Sequence, residues 1–485
     1  MPEQSRRTMN ARNAAAGTSS ERHRDDMLAV APIGRLMASM SMPSIIGVLA
    51  YNLYNILDML LLSQGAGMDA VGGVAVSFPL FMLLSAVAST LGTGAASVIS
   101  RALGRGDDEQ AARAAANTFL VFYATALAMT VVGLLFLDPI LLMMGVTDSL
   151  LPVARNYTRI ILIGAVTNTG FSNLIRAEGA SRYAMAIWVI PLSVNTAFDI
   201  LFIFGLEWGA TGAALGTVIG QCVSMAMSVN FFLLSGRSRL RLAARHFRPD
   251  IRLIATILST GLPSLAQWCG QGLAIIATNR MLRTFSTDPT VLGYGAGGDL
   301  PINTYGLASR ILLLLLFPVT GLAQGIQPII GFNFGAGLHD RVRRTLASSM
   351  AIAAAYGIAS TIITAVWAAR PMMRLFTGDT ATIRLGTQAL AVMGVATAFT
   401  GIQQIHATFL QSIDRRTAAI LVSVCGQLLV PPTLQVMGRF GLVGVWWAFP
   451  VVAVAGSLMS SLAVLHAFRG ALRPSDGSHA AAPIP

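Results

Sequence analysis

The sequence predicts an all-α polytopic membrane protein, with twelve transmembrane helices arranged as two parallel six-helix repeats. Of its 485 residues, 54% are hydrophobic and only 11% are charged, whereas soluble domains carry about 25% charged residues. Twelve apolar stretches are each near the length of about 20 residues that a helix needs to cross a bilayer. Glycine-rich motifs recur between the two halves of the chain, which indicates an internal duplication.

The predicted spans form two groups of six on either side of an Arg-rich segment. They cover 41–63, 71–99, 115–137, 151–174, 183–206, 209–235, 253–279, 302–330, 345–368, 386–411, 417–437 and 441–467. We therefore expect a disordered cytoplasmic tail (1–35), a first lobe (36–235), an Arg-rich cytoplasmic connection (236–252), a second lobe (253–468) and a cytoplasmic tail (469–485). The first tail lacks an apolar run with a cleavage site, so no signal peptide is expected.

The charges of the chain indicate its orientation. Its 33 basic residues are all arginines and outnumber the 21 acidic residues. They lie in short clusters between apolar runs, above all in the central connection. Cytoplasmic loops are enriched in basic residues, so this distribution predicts that both termini are cytoplasmic. We expect contact with the lipid bilayer and no binding of nucleic acid.

Three sets of positions support the duplication. Pro43 and Ser44 correspond to Pro263 and Ser264, and Gly209 and Gly212 to Gly441 and Gly444. The segments 91–113 and 321–344 match at a separation of 231 residues, including Gly94 with Gly325, Gly104 with Gly335, and Arg113 with Arg344. Because each half has an even number of spans, both halves insert in the same direction. Parallel repeats of this kind are typical of secondary transporters.

Polar residues in the fifth and sixth spans indicate a binding site. Asn195 and Asp199 lie four residues apart and share one helix face. A lone Asp in a membrane segment costs about 2.5–3.5 kcal/mol on insertion scales, so it is expected to have a function. Thr217 follows in a glycine-spaced run, where Gly212, Gly216 and Gly220 predict close packing against a neighbouring helix.

The first span adds a second acidic residue. Pro43 lies near its start, where it removes a backbone donor and favours a bend. Asp58 lies deep in the same span, on a stripe with Tyr51, Tyr54 and Asn55. The alternative is that Asp58 extends to the outer interface beneath a tyrosine belt.

Two carboxylates, an amide and a hydroxyl are hard oxygen donors, which suit a small hard cation better than a soft metal. Two neighbouring carboxylates in a low dielectric are also able to share protons. We therefore expect Na⁺ or H⁺ at Asp58, Asn195, Asp199 and Thr217, with no other metal and no cofactor. The residues alone do not choose between the two ions.

Other polar residues in the spans are candidates for the wall of a substrate cavity. They are Tyr51, Tyr54, Asn168, Asn173, Gln267, Gln271, Gln403, Gln404 and His406. His406 either titrates near neutral pH or serves as a hydrogen-bonded residue between helices. Cys222, Cys269 and Cys425 fit neither a disulfide framework nor a metal site and are interpreted as small buried hydrophobic residues.

Other functional classes are less well supported. A membrane-embedded enzyme would need a nucleophile and base or a metal cluster, and the six histidines are scattered without HExxH or GxSxG motifs. A lipid-linked precursor flippase is the main alternative, but we expect its cavity to be more basic. A simple channel does not explain the repeat or the predicted cation site.

Several motifs resemble the bacterial multidrug and toxic-compound extrusion (MATE) transporters, and the pattern closely resembles their MepA-like subgroup. They comprise Pro43, NLYNILD ending at Asp58, GTGAASVISRALGRGD at 92–107, IRAEGASRYAMA at 175–186, VNTAFD at 194–199 and GLAQGIQPIIGFNFGAG at 321–337. The resemblance covers about 35–468. It implies two six-helix lobes facing a central cavity, without enzymatic activity.

The resemblance also implies a function and its residues. It suggests export of cationic or amphipathic drug-like compounds across the cytoplasmic membrane in exchange for Na⁺ or H⁺, by a monomer. The family's cation site in the first lobe maps onto Asp58, Asn195, Asp199 and Thr217, and its gating proline maps onto Pro43. Acids that some relatives carry in the second lobe are replaced at Gln271 and near Thr400, which concentrates the predicted coupling in the first lobe.

Overall fold

The computed structural model describes residues 27–144, 146–148, 150–167, 171–285 and 300–471. Every regular element in these ranges is a helix. The remaining predictions for the two tails, over 1–26 and 472–485, and for Asn168 lie outside the described residues.

The first half begins with three long helices and continues with shorter segments. They are α1 (Ile33–Gly65), α2 (Gly67–Gly104), α3 (Asp108–Leu135), α4 (Leu137–Met143), α5 (Leu151–Ile163), α6 (Phe171–Ala177), α7 (Ser181–Asp199) and α8 (Gly209–Val229). A 3₁₀ turn, Gly164–Thr167, follows α5, and π-helical stretches, Ile200–Gly205 and Asn230–Leu234, continue α7 and α8.

The second half repeats this order after a 3₁₀ turn at Ala244–Phe247. Its helices are α9 (Ile251–Arg283), α10 (Leu300–Gly335), α11 (His339–Ile363), α12 (Ala369–Phe376), α13 (Thr380–Met393), α14 (Ala396–Ser412), α15 (Arg416–Leu428), α16 (Val430–Met437) and α17 (Gly441–Ala471). A π-helical stretch, Thr364–Ala368, follows α11, and a 3₁₀ turn, Gly438–Phe440, precedes α17.

The helices agree with the predicted set of spans. Judged by length and hydropathy, nine helical segments of the described chain are able to cross a membrane, and the pair α13–α14, bent by 45°, makes a tenth. One of the nine, Arg416–Phe468, contains two predicted spans, and α9 is a further long helix that falls below this hydropathy level. In the described part of the chain, the twelve predicted spans therefore lie on helices.

By packing, the chain divides into two units. Unit 1 comprises Met1–Cys269 and Leu313–Ser349, and unit 2 comprises Gly270–Leu312 and Met350–Pro485. Residues 313–349, which belong to the second repeat by sequence, thus pack with the first repeat in unit 1. In unit 2, helix α17 packs against α13, α14, α15 and α16.

Glycines in unit 1 form pairs of contacts that follow the internal repeat. A Cβ at Gly104 would overlap the carbonyl oxygen of Phe332, and a Cβ at Gly335 would overlap that of Arg101. In the internal repeat, Gly104 corresponds to Gly335 and Arg101 corresponds to Phe332. The two contacts therefore occupy equivalent positions in the two repeats. We call this crossing of α2 and α10 the glycine crossing.

The Arg-rich connection is tied to the first repeat. Buried Glu178 accepts hydrogen bonds from Ser238 Oγ at 2.8 Å and from the backbone N–H of Arg239 at 2.7 Å. Asn117 Oδ1 accepts from the backbone N–H of Asp250 at 2.8 Å. The connection, predicted from its charge to mark the cytoplasmic side, therefore also has a fixed conformation.

Ordered structure begins before the first predicted span. Leu28 is buried, and its carbonyl oxygen accepts hydrogen bonds from Asn333 Nδ2 at 3.2 Å and from an Arg341 NH group at 3.1 Å. Arg341 also donates to the carbonyl oxygen of Ala31 at 2.8 Å. These bonds fix residues 28–31, which the sequence assigned to a disordered tail.

The cysteines correct one expectation. Cys222 and Cys269 are exposed on the helix surface and Cys425 is half-buried, whereas burial of all three was predicted. In a membrane protein the outer surface of a span faces lipid, so a small apolar side chain gains little from being buried within the protein.

Candidate cation site

The centre of the site is formed by two residues at the end of α7. Asn195 and Asp199 are one turn apart, and Asn195 Nδ2 donates to Asp199 Oδ1 at 3.3 Å. Their exposed fractions are 3% and 0%. The chain becomes π-helical directly after Asp199, at Ile200–Gly205, a distortion that is frequent at functional sites.

Helix α1 brings Asp58 to this pair. Asp58 lies close enough to Asp199 for the two carboxyl groups to interact electrostatically. Asp58 is half-buried, and its Oδ1 is buried. The structure thus supports the interpretation of Asp58 as a partner of Asp199 over its alternative as an interfacial residue.

Helix α8 supplies Thr217, and a tyrosine connects it to α1. Thr217 is 8% exposed, and its Oγ1 lies 3.0 Å from the hydroxyl of Tyr54. The sequence placed Tyr54 on the stripe with Asp58 and suggested a role in the substrate cavity. In the structure its hydroxyl lies beside the cation-site threonine.

Three oxygen atoms of the site are buried and make no hydrogen bond to the described chain. They are Asp58 Oδ1, Asn195 Oδ1 and Asp199 Oδ2. A buried polar atom without a partner costs about 1–3 kcal/mol, and two carboxylates in contact repel each other when both are charged. A proton shared by the carboxyl groups, or a small cation held by these oxygens, relieves both costs.

Sequence reasoning missed Tyr157. This residue of α5 is 9% exposed and lies close enough to Asp58 and Asp199 to interact electrostatically with both. Its only sequence signal was an aromatic hydroxyl in the predicted fourth span. Tyr51, a predicted cavity residue, hydrogen-bonds to Ser85 and packs edge-on against Trp188 with ring centroids 4.8 Å apart.

The other predicted cavity residues on α6 and α9 have different surroundings. Asn173 accepts a hydrogen bond from buried Arg176. Gln267 and Gln271 lie on α9, the first exposed and the second half-buried.

Two more cavity candidates lie within unit 2. Gln403 donates to the carbonyl oxygen of Val422 at 2.9 Å. His406 is buried, with Nδ1 2.9 Å from Ser460 Oγ and Nε2 3.3 Å from Met350 Sδ. These contacts favour the interhelical interpretation of His406 over a titrating group.

The second repeat has different residues at the equivalent positions. At the spacing set by Pro43 and Pro263, Asp58 corresponds to Thr278. At the spacing set by Gly209 and Gly441, Thr217 corresponds to Phe449. The hydroxyl of Tyr305 hydrogen-bonds to Thr278, and its ring stacks on Phe449 with centroids 5.6 Å apart. The second repeat therefore carries a threonine where the first has Asp58, and a phenylalanine where the first has Thr217.

Known proteins resemble this chain along most of its length. The family profile MatE matches residues 43–201 and 275–435. The multidrug export protein MepA of Staphylococcus aureus (strain NCTC 8325 / PS 47) is 24% identical over 441 residues, which is 90% of this chain and 93% of MepA. The FAD transporter of Shewanella oneidensis is 25% identical over 436 residues, 87% of this chain and 92% of that protein.

A solved structure supports the same fold. It is described as the outward-facing conformation of a multidrug resistance MATE family transporter of the MOP superfamily. It superposes with a TM-score of 0.84 at 23% identity and covers 91% of this chain and 97% of its own. The family match extends over more than half of the chain and includes Asp58, Asn195 and Asp199, so this protein is a membrane transporter of the MatE family.

Proposed function

We propose that this protein exports cationic or amphipathic drug-like compounds by antiport with Na⁺ or H⁺. The observation that carries the proposal is a cluster of three buried oxygens without hydrogen-bond partners, on Asp58, Asn195 and Asp199, in which the two acids lie close enough to interact electrostatically. Such a site has a higher affinity for a cation or proton when the acids converge than when they are apart. If the transporter has two conformations that differ in the distance between Asp58 and Asp199, binding of the ion would therefore favour the conformation in which the two acids are close together.

Helix α1 is the proposed mechanical link. It carries Asp58 and contains Pro43, which is buried within the helix. Residues on both sides of this proline contact α10, because Cβ atoms at Gly325 and Gly321 would overlap Ser41 and Ile45. A bend of α1 at Pro43 would change the position of Asp58 relative to α7, which couples ion binding to the state of α1.

The remaining parts of the proposal concern setting and substrate. We place the chain in the cytoplasmic membrane of a bacterium as a monomer with both termini in the cytoplasm, in agreement with its arginine clusters. MepA is named for multidrug export and the Shewanella relative for FAD transport, so drug-like cations and FAD are the first substrates to test. These names favour a carrier of soluble compounds over a lipid-linked precursor flippase.

The test is efflux from proteoliposomes under separately imposed gradients. Ethidium efflux should depend on a Na⁺ gradient, on a proton gradient or on both, and Asp58→Asn and Asp199→Asn should each abolish that dependence. Asp138→Asn is the matched control, since Asp138 forms a surface ion pair with Arg155 at 2.7 Å. Wild-type efflux in both site variants would contradict the site, and efflux that depends on neither gradient would contradict antiport.

A further inference from the structure

Two glycines of α8 pack directly on the acid-bearing face of α7. A Cβ at Gly216 would overlap Asp199 Oδ1 and would lie 3.2 Å from Asn195 Nδ2. A Cβ at Gly220 would lie 2.9 Å from Asn195 Cβ. The carboxylate of Asp199 therefore occupies space that any other residue at position 216 would fill with its own side chain.

Comparison with the second repeat distinguishes Gly216 and Gly220 from Gly212, the third glycine of the same motif. Gly212 has its counterpart in Gly444, and both pack on the turn that precedes their helix, at Phe202 in the first repeat and at Met437 in the second. At the same spacing, Gly216 and Gly220 correspond to Ala448 and Val452, which are both buried. Glycine at these two positions is thus confined to the repeat that has the acids.

A general packing role does not explain this difference. The second repeat forms the equivalent helix α17 with Ala448 and Val452 in place, so the fold tolerates side chains there. What distinguishes the first repeat is the polar cluster on the facing helix, with its unpartnered Asn195 Oδ1 and Asp199 Oδ2. The space left by the missing side chains is where this cluster lies.

We propose that Gly216 is a positioning residue, which keeps the Asp199 carboxylate against α8 and within reach of Asp58. This inference rests on the proposed function and deepens it, because it assigns the cation affinity of the site to the shape of α8 as well as to its ligands. A methyl group at position 216 must turn the Asp199 carboxylate away, since the contact of Gly212 with Phe202 holds the helix close to its neighbour.

The first test compares two alanine substitutions in the same motif. Ion-dependent ethidium efflux is titrated with Na⁺ at fixed pH, and with pH in the absence of Na⁺. One of these two titrations will show the ion that drives efflux. In that titration, Gly216→Ala should shift the midpoint by at least tenfold in Na⁺ concentration or by at least one pH unit. Gly212→Ala, whose Cβ would meet Phe202 Cβ at 2.8 Å without touching an acid, should lower the melting temperature and leave the midpoint unchanged. A wild-type midpoint in Gly216→Ala, or equal shifts in both variants, would overturn the proposal.

A second test needs no transport activity. Because the clash is with the Asp199 side chain, Asp199→Ala should make room for the new methyl group. We expect Gly216→Ala alone to melt below the wild type. The double variant, Gly216→Ala with Asp199→Ala, should melt no lower than Asp199→Ala alone. The two effects would then be non-additive, as expected for residues in contact. Additive losses of melting temperature would show that the methyl group clashes elsewhere. If Asp199→Asn leaves ion dependence intact, the proposed function fails, but this thermal comparison still reports on Gly216.

Discussion

The hydroxyl of Tyr54 illustrates how a single residue completes the candidate site. It lies 3.0 Å from Thr217 Oγ1 and so joins α1 to α8. Because a threonine in a helix divides between two rotamers, this bond favours the one that places its oxygen beside Tyr54. In the proposed cation site, Tyr54 therefore contributes indirectly, by positioning Thr217.

We expect Tyr54→Phe to weaken ion dependence without abolishing it. The loss of one hydrogen bond is worth about 0.5–1.5 kcal/mol, which corresponds to a roughly 2–10-fold increase in the ion concentration needed for half-maximal efflux. Tyr123→Phe serves as the control, since Tyr123 is 36% exposed on α3. An unchanged midpoint in Tyr54→Phe would show that Thr217 is not positioned by this hydroxyl.

Single residues also show what sequence reasoning can reach. The spacing of Asn195 and Asp199 fixed their shared face, because helix geometry is local. The approach of Asp58 and Thr217 depends on which helices are neighbours; it was expected from their polar character and the glycine spacing of the sixth span, and the resemblance to a family pointed to the same residues. Tyr157 was missed because nothing along α5 shows which face of that helix meets the acids.

At the scale of elements, the predicted spans agree with the helices, but the helices are longer. Helix α1 has 33 residues and α2 has 38, whereas about 20 suffice to cross the hydrocarbon. Hydropathy detects only the part within lipid. The remaining turns carry the contacts of unit 1, such as the glycine crossing, which no hydropathy pattern indicates.

The Arg-rich connection is an element whose conformation depends on one buried acid. We expect Glu178→Gln to loosen it, because an amide keeps a single acceptor oxygen for the two donors, Ser238 Oγ and the Arg239 N–H. The loss of a hydrogen bond to a charged group costs about 1.5–3 kcal/mol. The measurable result is faster trypsin cleavage at Arg239 and Arg241 in detergent-solubilised protein.

The matched control is Glu207→Gln, since Glu207 is exposed. Its cleavage rate should equal that of the wild type. Cleavage of Glu178→Gln at the same rate as Glu207→Gln would mean that the connection is held by its other bonds, such as that of Asn117 to Asp250.

For the molecule as a whole, the glycine crossing shows that the duplication persists in three dimensions. Residues 313–349 contact the first repeat through positions that are equivalent by repeat. Gln327 of this segment donates to Ser97 Oγ at 2.9 Å and to the carbonyl oxygen of Thr93 at 3.1 Å. We expect a transporter that alternates between two states to separate this contact in one of them.

We expect Gly335→Ala to favour the state in which the glycine crossing is separated, because the added Cβ would overlap the carbonyl oxygen of Arg101. A cysteine introduced as Ser97→Cys, in a background without the native cysteines, reports on this state, since Ser97 is fully buried. Its rate of maleimide labelling should rise about tenfold, equivalent to a shift of about 1.4 kcal/mol. Gly34→Ala, where a Cβ would meet nothing within 4 Å, should label at the wild-type rate; equal rates in the two variants would contradict the prediction.

Two neighbouring carboxyl groups lie in the first repeat, and the second repeat carries Thr278 at the position equivalent to Asp58, so the proposed antiport has a limit on the work that it can perform. Two carboxylates neutralise at most two monovalent cations in each cycle. Each cation that moves inward across a potential of 100 mV releases about 2.3 kcal/mol, which sustains a roughly 50-fold concentration ratio of a neutral substrate. Under the proposed coupling, the electrical part of the driving force therefore supports a substrate concentration ratio of at most about 2,500 at that potential. The concentration ratio that a substrate reaches at equilibrium thus measures how many ions the site exchanges in each cycle.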